Sequence, residues 1–96
     1  MDNKIILSKP YSFEGENHCE IDLQGLDDLK AKDLVNIDRI FALRGNSLAM
    51  KEFTLDYAIV IANRVTGKPI EFFEDLPIKD AVELKNTVVR FFYGED

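Results

Sequence analysis

The sequence holds no tryptophan, one cysteine, one histidine and three prolines in 96 residues. Each scarcity removes a class of answer. A lone thiol, Cys19, closes no internal disulfide, so the fold must rest on buried apolar area, as expected in a reducing cytoplasm. One histidine and one cysteine fall short of the roughly four ligands of a structural zinc site. His18 and Cys19, as strand neighbours, point to opposite faces, and Cys19 reads as an ordinary small core residue. No metal or cofactor is expected. Positive charge is also short: 12 Lys and Arg stand against 18 Asp and Glu, a net charge of −6. The deficit is spread evenly, 6 against 9 in each half of the chain, so nucleic acid and anionic membranes are disfavoured as partners. The longest uninterrupted apolar run, residues 58–62, is far too short to span a bilayer, and MDNKIILSKP lacks the apolar stretch of a secretion signal.

The remaining 46% hydrophobic and 31% charged residues describe a folded chain rather than a disordered one, and the length suits a single domain over 1–96. Residues 4–8 (KIILS) are β-branched and apolar, Glu14-Gly15-Glu16-Asn17 is turn chemistry, and Cys19, Ile21 and Leu23 alternate with Glu20 and Asp22. This predicts a β-hairpin over about 4–23, which has to pack on something because an isolated hairpin is marginal in water. Asp27-Asp28 offers capping oxygens to a helix over about 27–44 that stops before Gly45-Asn46. Residues 47–53 read as loop or a short extended piece. Thr54 caps a helix over about 54–66, in which Ala58, Ile59, Ile61, Ala62 and Val65 share one stripe. Gly67 supplies the left-handed C-terminal position, and Pro69 and Pro77 open a short helix at 69–75 and a longer one at 77–93. In that last helix Ile78, Ala81, Val82, Val88, Val89 and Phe92 recur at helical spacing. The expected class is α+β, mostly α: an N-terminal hairpin packed on three to four helices.

No catalytic apparatus emerges. Gly67-Lys68 matches the end of a phosphate-binding loop, but Pro69 stands where that motif carries Ser or Thr, and its earlier glycine is missing. Glu71, Glu74, Asp75, Asp80 and Glu83 read as a solvated face that also favours the start of the last helix through its dipole. Asp75 or Asp80 acting as a general acid would need a cleft. The aromatics are more informative, since Phe72, Phe73, Phe91, Phe92 and Tyr93 fall in adjacent groups that a helix rotates by about 100° per residue. Some are expected to face solvent. Ile70, Phe72, Phe73, Phe91, Phe92 and Tyr93 are therefore the candidate partner-binding residues. The plain alternative is that the hairpin covers the second face.

Two blocks of the sequence resemble a known family. Ile6-Leu7-Ser8-Lys9-Pro10, then Phe13-Glu14-Gly15 and Ile21-Asp22-Leu23, with Leu29-Lys30-Ala31-Lys32-Asp33-Leu34 following, is similar to the opening of the tail assembly chaperones of long, contractile-tailed bacteriophages. Residues 62–69 (ANRVTGKP), with Leu76-Pro77, Asp80-Ala81, Leu84-Lys85, Val88 and Phe91-Phe92, are similar to its close. The resemblance implies a non-catalytic chaperone of the host cytoplasm, absent from the finished virion. Its implied partner is the tape-measure protein, with the tail-tube protein as a second candidate. Such a client is long, helical and partly apolar, and many weakly bound copies would shield it until tail-tube subunits replace them. Edge strands also leave a homo-oligomer open. The competing reading is a small phage or mobile-element regulatory or adaptor protein acting through protein contacts.

Overall fold

A two-residue turn fixes the N-terminal element. The computed structural model describes residues 3–43 and 54–93; the extended or loop reading of 47–53 lies outside them. Glu14 and Gly15 both have positive φ, 51° and 83°, the signature of a type I′ hairpin turn. The turn joins β1 (Lys4–Phe13) to an antiparallel β2 (Glu16–Asp22). Asparagine tolerates this conformation better than glutamate does. Glu14→Asn is therefore expected to stabilise the fold by up to about 1 kcal/mol, read from the urea midpoint.

The ladder is not uniform. Lys4, Ile5 and Ile6 pair with Asp22, Ile21 and Glu20, whereas Tyr11, Ser12 and Phe13 pair with His18, Asn17 and Glu16. Four residues of β1 thus stand opposite Cys19 alone. The slip is odd in number, so the inward parity of β2 changes from Ile21 to His18 across it. This corrects the placement of Cys19, which is exposed, while His18 turns inward.

Leu23 leads into a 3-10 helix over Gln24–Asp28. Asp27-Asp28 therefore does not start the first α-helix. That helix, α1 (Ala31–Leu43), begins three residues later, and the Asp33 carboxylate accepts the Lys30 N–H at 3.0 Å in the manner of a capping box. Arg64 also donates to Asp33 at 2.7 Å and is the larger influence holding that carboxyl below its ordinary pKa, with the Lys30 N–H adding to it. Gly25 lies close under α2, and a Cβ there would sit 2.9 Å from a Val65 methyl. Gly25→Ala is expected to cost about 1 kcal/mol, checked by thermal unfolding.

The central element is α2 (Leu55–Thr66). Thr54 caps it by accepting the Tyr57 N–H at 3.2 Å, and Gly67 closes it at φ 77° with its N–H on the Asn63 carbonyl at 2.9 Å. Tyr57, Ala58, Ile59, Val60, Ile61 and Ala62 are buried without interruption, so the middle of α2 is buried on every side rather than along one stripe. It packs against α1, the 3-10 helix, α3 (Ile70–Glu74) and α4 (Ile78–Tyr93). The hairpin lies across α4. The class is α+β, mostly α.

Candidate partner-binding surface

Of the six aromatic and aliphatic candidates, two sit in the core. Phe72 and Phe73 are each 1% exposed. The hairpin covers the outer face of α3: the Phe72 ring meets Tyr11, Phe13 and His18 edge-on at centroid distances of 5.1, 5.3 and 4.9 Å, and Phe73 at 5.0 Å. Tyr11 fixes the dock by donating its hydroxyl to the Phe72 carbonyl at 2.8 Å. Burial, followed by the negative charge of Asp75, raises the Tyr11 pKa above its ordinary value. Neither phenylalanine offers surface to a partner in this arrangement. Adjacent phenylalanines on a short helix cannot both face one core, and for Phe72 and Phe73 the plain alternative holds: the hairpin covers the second face.

Ile70, Phe91 and Phe92 are partly buried against the core, with Phe92 6.0 Å from the Tyr57 ring, and Tyr93 is 48% exposed. The exposed aliphatics lie elsewhere, at Ile6, Val35, Leu43, Ile78 and Val82. Ile78 and Val82, at 77% and 43% exposure, do not join the core face of α4. Ala81, Leu84 and Val88 form it.

Asp80 also departs from its expected place. It is 4% exposed, and both oxygens are engaged: Oδ1 accepts the Ser8 N–H at 3.0 Å and Oδ2 the Ser8 hydroxyl at 3.1 Å. A side chain read as part of a solvated face is instead the clasp between hairpin and α4, helped by its place in the first turn of the helix. No spacing rule reveals a contact across 72 residues. Among the described residues, no group of three or more His, Cys, Asp or Glu is placed to hold a metal ion. No helix there is long and apolar enough to cross a membrane.

A family profile described as phage tail assembly chaperone proteins, E, or 41 or 14, matches residues 4–93. The chain belongs to this family. The match runs from the first residue of β1 to the last of α4, so the whole of this tail assembly chaperone's described fold lies within it. No curated protein and no solved structure matches the chain.

Proposed function

We propose that this chaperone works without catalysis in the host cytoplasm, binding the tape-measure protein and keeping it soluble until the tail tube assembles around it. The family match over residues 4–93 carries the reading. Physical chemistry supports it: a long helical client with apolar stripes aggregates unless those stripes are covered, and small exchangeable binders cover them reversibly. The net charge of −6 keeps such complexes soluble by mutual repulsion. Contact residues from the sequence-derived set are those that retain surface, Ile70, Phe91, Phe92 and Tyr93. The test is co-expression with a tape-measure fragment from the same phage genome. The fragment is expected in the soluble fraction only when the chaperone is present. A fragment soluble alone, or insoluble with the chaperone, overturns the reading.

A further inference from the structure

The two faces of α4 are unlike each other. One packs Ala81, Leu84 and Val88 into the core. On the other, Ile78, Val82, Lys85, Val89 and Phe92 follow one another at spacings of 4, 3, 4 and 3, the a/d pattern of a coiled-coil seam. Ile78 and Val82 are exposed and Lys85 and Val89 half-buried, while Phe92 ends the row against Tyr57. At about 100° per residue these positions fall within roughly one third of the helix circumference. A single polar residue occupies the middle of this seam. Among the described residues, neither Lys85 nor Lys79 beside the seam forms an ion pair, and Arg90 is held by Glu83 at 3.5 Å. The seam therefore carries positive charge on a chain whose net charge is −6.

Building on the chaperone reading, we propose that this seam of α4 docks an amphipathic helix of the partner, one whose apolar stripe carries a carboxylate facing Lys85 and acidic residues toward Lys79. A lone polar residue in an apolar seam selects register and partner by making wrong pairings unfavourable. A second copy of this chain fits badly. Two copies pairing parallel and in register would set Lys85 against Lys85 in the middle of the seam.

The experiment uses the full chain and two synthetic three-heptad peptides with leucine seams and acidic flanks, identical except for Glu or Lys at the central seam position. Fluorescence anisotropy is expected to show the Glu peptide binding at least tenfold more tightly than the Lys peptide, and Lys85→Glu is expected to invert that preference. Ile78→Glu combined with Val82→Glu should abolish binding of both peptides while leaving the melting temperature within a few degrees, because both side chains point outward. Equal binding of the two peptides, no binding of either, or a preference unchanged by Lys85→Glu overturns the proposal. So does a wild-type dimer in light scattering that the double variant converts to monomer, since the seam would then belong to a second copy. If the double variant still keeps the tape-measure fragment soluble, the seam is wrong and the chaperone reading stands. If wild type fails with the fragment, the chaperone reading falls, and anisotropy alone judges the seam.

Discussion

Replacing Phe72 by alanine is expected to remove about 3–5 kcal/mol of stability, a large part of the roughly 5–15 kcal/mol that a domain has in total. The magnitude follows from position. The ring is 1% exposed and makes edge-to-face contacts with three side chains of the hairpin and with Phe73, so its loss opens a cavity between layers that cannot close on each other. Urea unfolding followed by circular dichroism measures it, and a loss below about 1 kcal/mol would show that the hairpin is not seated on α3 as described. Phe72→Glu is expected to unfold the chain outright, because a carboxylate would be buried with no partner. Failure of that variant to protect a client therefore reports lost folding, not a lost contact.

The second large effect is expected at Asp80. Asp80→Ala removes both hydrogen bonds from Ser8 to a carboxylate that is itself 4% exposed, and is expected to cost about 2 kcal/mol: hydrogen bonds to charged groups contribute about 1.5–3 kcal/mol each, and water reaches the exposed Ser8 once the carboxylate is gone. Ser8→Ala removes only the hydroxyl bond and should cost about half as much. Amide hydrogen exchange separates the two variants: the Ser8 N–H should lose protection in Asp80→Ala and retain it in Ser8→Ala. Rapid Ser8 exchange in wild type would show the clasp open in solution.

How far the fold is legible in the sequence depends on the range of the interaction that decides each element. Thr54, Gly67 and the Glu14-Gly15 turn act within a few residues, and their chemistry alone locates α2 and the hairpin. Cys19 is misplaced by alternation because the slip in register lies on the other strand, where Pro10 signals irregularity without giving its size. The 3-10 helix at Gln24–Asp28 displaces the start of α1 and passes close to α2 at Gly25, a tertiary contact that capping rules do not contain. Asp80 looks like a surface residue in its own helix, and Phe72 is ambiguous between core and surface in its own. They are buried by a hairpin more than 50 residues away in sequence, which local periodicity cannot register. Ile78 and Val82 err in the opposite direction. Their helical spacing is real, but α4 carries two apolar rows and only one is needed by the core; the alternating 4-3 spacing of the second is the signal that separates them.

The clasp between Ser8 and Asp80 orders events at the ribosome. The hairpin leaves the exit tunnel ahead of α3 and α4, so its inward row of Ile5, Leu7, Tyr11 and Phe13 finds its cover only after Phe72 and Asp80 have been translated. During that interval the nascent chain exposes an apolar strand pair with nothing to lean on. This tail assembly chaperone thus passes through a stage in need of shelter itself, and synthesis stalled ahead of α3 should leave a species that general cellular holdases capture.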